Sequence, residues 1–290
     1  MDRRAAATPR LFSTHSQHIF EDNVDDRERL QHQFDLLRED FDLWFDETLR
    51  LGGLSTDRDR ATWSVLDVGC GEGQFTREIA RRYPRARVVG IDADRVAIST
   101  AARLAASDSI EFLVGDAGGS LSLSRRAGVG FDVAVMWLVL PYLPDRRQAL
   151  ANLAAVLRSG GVLLLGNVPD ESLRLDHPAA TEIMAAARDM VGRLRLIGLE
   201  DTLAPLLEGA GFEDVVSAVL RYPVGGATSY GQRWHAYLLT SLKAARNAVV
   251  NVCGLMDGAE FDRHLQRLAA ESVLQMSGEV RFLATLARRA

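Results

Sequence analysis

Lysine is almost absent from this chain of 290 residues: Lys243 is the only one, and arginine carries the rest of the formal positive charge. The net charge is −5. That sign argues against the basic stripe with which a protein neutralises a phosphate backbone, so no nucleic-acid partner is expected. The bias toward arginine and alanine is given no functional weight. Cysteine is scarce too. Cys70 and Cys253 alone cannot build a disulfide framework or a zinc-binding cluster. Long hydrophobic runs are also missing, since the longest, Val133 to Leu143, contains Pro141 and is too short to span a bilayer. The start, Met1-Asp2-Arg3-Arg4 and then alanines, lacks the apolar stretch of a signal peptide. The expectation is a cytoplasmic protein with no membrane partner. What is present, 47% hydrophobic and 25% charged residues, suits a globular chain with one sizeable core.

Residues 1–24 are polar and aperiodic. Leu30, Phe34, Leu37, Phe41, Trp44, Phe45 and Thr48 then recur at helical spacing, which predicts one long helix over Asp26–Leu51, ended by Gly52 and Gly53. Beyond Trp63 short apolar runs alternate with helical stretches. The strands predicted are Ser64–Val68, Arg87–Ile91, Ile110–Val114, Asp132–Met136, Val162–Gly166, Asp214–Arg221 and Arg281–Leu286. The helices are Gln74–Arg82, Arg95–Ala105, Arg146–Arg158, Thr181–Arg195 and Leu199–Gly209. Such alternation predicts an α/β fold with a mainly parallel sheet covered on both faces. Between the last two strands, Gly225 to Gly278 is mainly helical in pattern.

The densest motif is Val65-Leu66-Asp67-Val68-Gly69-Cys70-Gly71-Glu72-Gly73, at the end of the first strand and the start of the first helix. Glycines there let the backbone turn sharply and approach a ligand closely. A dinucleotide fingerprint would need its third glycine at Gln74 or Thr76. The spacing is instead D-x-G-x-G-x-G, which disfavours a nicotinamide oxidoreductase.

This run resembles the first motif of the class I S-adenosylmethionine-dependent methyltransferases. Four further stretches agree with it in order and spacing: Ile91-Asp92-Ala93, Gly115-Asp116-Ala117, the strand around Met136 with Leu140-Pro141-Tyr142, and Leu157-Arg158-Ser159-Gly160-Gly161. The resemblance covers about residues 62–221 plus the final strand. It implies a doubly wound sheet of seven strands with the last antiparallel, and S-adenosylmethionine as cofactor with S-adenosylhomocysteine as product. In that family Asp67 would orient the loop, while Gly69, Cys70, Gly71 and Gly73 would line the methionine part. Asp92 and Ala93 would hold the ribose, Asp116 and Ala117 would frame the adenine, and Met136 would stand near the sulfonium.

Under this reading residues 1–60 form an N-terminal segment and helical lid, 61–224 the cofactor-binding domain, 225–278 a helical cap, and 279–290 the final strand. A lid and a cap enclose a small organic substrate, in the manner of specialised metabolism. Methyl transfer is an in-line displacement in which positioning does most of the work, and an acceptor O–H can also need a base. The candidates are His32, His177 and Tyr142; His15, His18, His235 and His264 are the other histidines. Trp137, Tyr230, Trp234, Phe12 and Phe20 are the aromatics placed to cover a substrate. Metal-dependent relatives carry an acid after the fourth strand and Asp-Asn after the fifth. Here Met136-Trp137 and Gly166-Asn167 stand there, so no metal is expected. Two further readings keep the fold: a non-methylating cyclisation or rearrangement assisted by the bound cofactor, and a non-catalytic binding protein. The apolar face of the N-terminal helix fits its own sheet or a second copy in a homodimer.

Overall fold

Four short apolar runs, each closed by polar or glycine-rich sequence, form β1 (Ser64–Val68), β2 (Arg87–Asp92), β3 (Ile110–Val114) and β4 (Phe131–Trp137). The computed structural model describes residues 24–38, 42–105, 109–119, 130–167, 173–194, 202–226 and 229–290. β1 lies between β2 and β4, β3 flanks β2, and β5 (Leu157–Asn167) flanks β4, all in parallel. Parallel strands need crossovers. Helices α3 (Gln74–Arg82), α4 (Arg95–Leu104) and α5 (Arg146–Val156) supply them. Their starts are set by local chemistry: Asp94 caps α4 by accepting from Val96 N, and Asp145 caps α5 by accepting from Gln148 N.

The remainder closes the sheet in antiparallel fashion. β8 (Ser277–Arg289) pairs with β5 through residues 283–288 and with β6 (Leu173–Asp176) through 277–280. β7 (Phe212–Gly225) pairs with β8 along both stretches. A strand has two edges, so β5 and β6 share one edge of β8, end to end, and β7 takes the other. The order is therefore 3-2-1-4-5-8-7 with β6 prolonging β5. The eighth strand, β6, is the element that the sequence pattern does not predict. β5 also begins earlier than expected. Leu157 already pairs with Phe131, and the glycine turn Ser159-Gly160-Gly161 is a bulge before Val162 meets Val133.

Strand alternation sends Val65, Val88, Val133, Val135, Val162 and Leu164 to one face, and Leu66, Val89, Ile91, Ala134, Met136, Leu163 and Leu165 to the other. α5 and α7 (Leu203–Gly209) cover the second face. The first face packs against the N-terminal elements. There the expected single helix is two: α1 (Val24–Leu37), then a π-type turn at Asp42–Asp46 leading into α2 (Glu47–Leu51). The cause is tertiary. Trp44 turns back to donate from Nε1 to the Leu37 carbonyl at 3.4 Å and stacks on Trp137 of β4, centroids 4.3 Å apart. Tyr83 donates to the buried Asp46 at 2.6 Å, fixing the turn to the end of α3.

A third apolar cluster joins α6 (Thr181–Arg193), α8 (Ser229–Asn247) and α9 (Gly258–Ala270). α8 and α9 fall between β7 and β8. Among the described residues no helix is long and apolar enough to cross a membrane.

Candidate active site

The strand-to-helix turn after β1 is built by close approach. Gly69 has φ +71°, and a Cβ on it would stand 2.3 Å from Val139 Cγ2; at Gly73, φ +80°, a Cβ would meet Phe112 at 2.4 Å. Side chains at either position would push the loop off its neighbours. Gly71 differs: nothing lies within 4 Å of where its Cβ would be, so that side of the loop is open. The Ile91 carbonyl takes the Gly69 and Cys70 N–H groups at 2.8 and 3.0 Å. Asp92 then grips the loop from β2, Oδ2 accepting from Gly71 N at 2.8 Å while Oδ1 accepts from Asp94 N at 2.9 Å. Each carboxylate oxygen has a second lone pair, so Asp92 can still accept from a ligand hydroxyl.

Asp67 is buried under the loop and accepts from Thr76 Oγ1 at 2.6 Å. Burial is the main cause that pushes its pKa from 3.8 to about 6; the Thr76 hydrogen bond opposes this and the nearby Asp92 charge adds to it. Burial also drives the Cys70 thiol far upward, so Cys70 contributes shape, not a thiolate. Ala93 is exposed and Ala117 buried. Asp116 is exposed and accepts from Gly118 N at 2.9 Å. Asn152 of α5 holds this segment, donating to the Ala117 and Gly119 carbonyls at 2.8 and 2.6 Å. Met136 is buried in β4. Thus the ten residues expected to hold a nucleoside sulfonium are ranged along the carboxyl ends of β1–β4. An open glycine side, a carboxylate on β2 and a second after β3 fit the methionine, ribose and adenine parts of S-adenosylmethionine.

Known proteins resemble this chain in the same region. Residues 65–161 match a family model described as a methyltransferase domain. The chain is 28% identical over 229 residues to the trans-aconitate 2-methyltransferase of Deinococcus radiodurans, covering 74% of this chain and 80% of that protein. It is 31% identical to the enzyme of that name from Paracidovorax citrulli, over 57% of this chain and 64% of that one. Residues 65–161 thus carry a methyltransferase domain, and the chain is similar beyond that domain to S-adenosylmethionine-dependent methyltransferases. A solved structure, the YcgJ protein of Bacillus subtilis, shares the fold with a TM-score of 0.52 at 16% identity, covering 84% of this chain and 98% of that chain.

The three candidate bases stand in separate surroundings. His32, on α1, has Nδ1 3.4 Å from Thr240 Oγ1 of α8. Beside it Gln33 donates to the Tyr237 hydroxyl at 2.9 Å. His177 caps the short 3-10 turn Pro178–Ala180, its Nδ1 accepting from Ala179 N at 3.2 Å, with Nε2 3.9 Å from Glu271. A residue before proline at the first helical position is a cap signal that the sequence already carries. Tyr142 ends the 3-10 turn Leu140–Tyr142 after β4 and is half-buried. Its loop is the one whose Val139 touches Gly69.

Of the pocket aromatics, Trp234 is wholly buried among Tyr222, Tyr237 and Phe282. It is a core residue. Trp137 is nearly buried, between Trp44 and Phe282. Tyr230 is half-buried on α8. His15, His18, Phe12 and Phe20 lie outside the described residues. His235 is half-buried and its pKa is lowered, chiefly by burial, and His264 stands beside Glu182 and Glu260.

Proposed function

We propose that the methyltransferase methylates a small organic molecule in specialised metabolism, and that a carboxylic acid is the acceptor class to try first. One observation carries the small-substrate reading: α1 crosses the glycine loop. Arg27 pairs with Glu72 of that loop at 3.4 Å, Phe34 packs edge-on against Phe75 at 5.1 Å, and Gln33 ties α1 to α8. Helices laid over the carboxyl ends of the strands enclose an acceptor, whereas a macromolecular substrate needs an open face. The acid class is suggested by the named activity of the two relatives. In this reading residues 1–60 act as the lid and 225–278 as the cap.

S-adenosylmethionine, when bound, supplies a methyl group activated by its sulfonium. The chain's own part is positional. Gly69, Cys70, Gly71 and Gly73 shape the methionine side, Asp92 and Ala93 the ribose, and Asp116 and Ala117 the adenine, while Asp67 braces the loop and Met136 backs the sulfonium end. An acceptor O–H would pass its proton to a nearby base. Tyr142 is favoured for that role because its loop touches the glycine loop. His32 is the alternative on the lid, and His177 is already spent on its cap. A carboxylate acceptor has no proton to lose and would need none of them.

The test combines native mass spectrometry with an assay for S-adenosylhomocysteine release over a panel of di- and tricarboxylic acids including trans-aconitate. Wild type should bind S-adenosylhomocysteine but not NAD, and should turn over at least one acid with a gain of one CH₂ in the product. Asp92→Ala removes a charge-assisted pair of bonds of about 1.5–3 kcal/mol, so binding should weaken ten- to a hundredfold on the order of that energy. Equal or faster methylation of protein or RNA would overturn the small-substrate reading. A product of unchanged mass would point to the non-methylating alternative.

A further inference from the structure

At the carboxyl end of β5 a polar side chain is left over by the cofactor-binding reading. Asn167, the last residue of β5, has no exposed surface. Neither its Nδ2 nor its Oδ1 has a hydrogen-bond partner. Other buried polar side chains nearby are satisfied within the chain: Asp67 by Thr76, and Thr285 of β8 by Ser217 at 2.8 Å. Among the described residues, Asn167 is the one side chain with two such orphaned atoms. Folded chains nearly always satisfy a buried amide, and the exceptions ask for an explanation.

Its place in the fold offers one. Alternation puts Asn167 on the face of Leu163 and Leu165, one residue beyond Gly166, which is the register partner of Trp137 in β4. Trp137 Nε1 is likewise buried without an acceptor. The next residue, Leu138, sits at φ +58° while its N–H donates to the Gly166 carbonyl at 2.7 Å. Left-handed backbone at a bulky residue is strained and persists where the surroundings hold it, often at functional sites. Unmet polar groups and strain thus gather at the ends of β4 and β5, beside the Val139 loop that touches Gly69. Ligands of open α/β sheets bind outside the carboxyl ends of the strands.

We infer that Asn167 binds the methyl acceptor, Nδ2 donating to an oxygen of that molecule and Oδ1 free to accept a hydrogen bond from a hydroxyl on it. This rests on the small-acceptor reading above. Because the amide has no exposed surface, the acceptor reaches it only when its cover is displaced.

Asn167→Leu keeps the number and branching of the side-chain heavy atoms and removes both polar atoms. The variant should melt no lower than wild type, and should bind S-adenosylhomocysteine within about twofold of it, while KM for the accepted acid rises about tenfold or more through the lost hydrogen bonds. Unchanged KM and kcat would overturn the inference. A lower melting temperature would do so too, by showing that the amide serves the fold, as would weakened S-adenosylhomocysteine binding, by moving the contact to the cofactor. If wild type turns over none of the acids, the acid reading fails. The same pair of proteins is then compared by incorporation of radiolabelled methyl into the small-molecule fraction of a cell extract. There a loss of about tenfold in the variant supports the role, and equal incorporation overturns it.

Discussion

Asp67 carries a charge that the fold tolerates poorly. Unfolded, its carboxyl would titrate near 3.8; buried beneath the glycine loop it titrates near 6. Folding therefore favours the protonated form. The stability it contributes is complete below about pH 4 and is lost as the pH rises through about 6, a difference of about 3 kcal/mol for a shift of this size. Asp67→Asn retains an oxygen for the Thr76 hydroxyl and carries no charge. Urea unfolding across pH 4 to 7 should show wild type and variant close together at the acid end. The variant should pull ahead by a few kcal/mol, on the order of that shift, at neutral pH. A gap that stays constant across the range would mean that the aspartate ionises inside the fold as easily as outside it.

The N-terminal helix α1 is the element on which enclosure depends. Its grip on the glycine loop and the first turn of α3 includes a solvent-facing ion pair, Arg27 with Glu72, and a ring contact, Phe34 with Phe75. The ion pair is worth little in water; the aromatic pair is worth about 0.5–1.5 kcal/mol beyond its buried area. Phe34→Ala should therefore speed S-adenosylhomocysteine dissociation about two- to tenfold by that energy, with little change in the melting of the sheet. Stopped-flow displacement would measure it, and an unchanged off-rate would show that α1 does not hold the cofactor in. The same element marks the limit of what periodicity can say. Its apolar positions were legible, but the break between Leu37 and Trp44 was not, because Trp44 answers to Trp137, a residue more than ninety positions away. β6 was hidden for the same reason: four residues, Leu173–Asp176, become a strand only because Ser277–Val280 run beside them. By contrast β1 to β4 emerged within a residue or so, since each is a buried apolar run closed by its own turn chemistry. The glycine loop and its two acids were legible from local spacing. The orphaned amide of Asn167 was not, since burial without a partner is a property of the assembled chain.

At the scale of the whole molecule, the last strand is what closes the structure. β8 lies between β5 with β6 on one edge and β7 on the other. Arg288 reaches the Gly52 and Gly160 carbonyls, and Arg289 the Leu157 carbonyl. Without β8 the sheet would end at β5 with an unpaired edge in its interior, and β7 would have no partner among the described strands. Such long-range pairing comes late in folding because its loop-closure cost precedes its reward. A chain ending at Met276 should therefore show no cooperative urea transition and no S-adenosylhomocysteine binding. Truncation alone could act by exposing a new edge to aggregation, so a milder variant separates the causes. A Cβ at Gly278 would stand 2.2 Å from the Arg174 carbonyl oxygen. Gly278→Val should pry β8 from β6 only, costing about 1–3 kcal/mol as an overpacked contact, while cooperative unfolding and cofactor binding survive. If the truncated chain unfolds as cooperatively as wild type, β1 to β5 are self-sufficient and the antiparallel half is an accessory. If Gly278→Val abolishes folding as completely as truncation does, the short β6–β8 ladder, and not the long β5–β8–β7 one, is what closes the sheet.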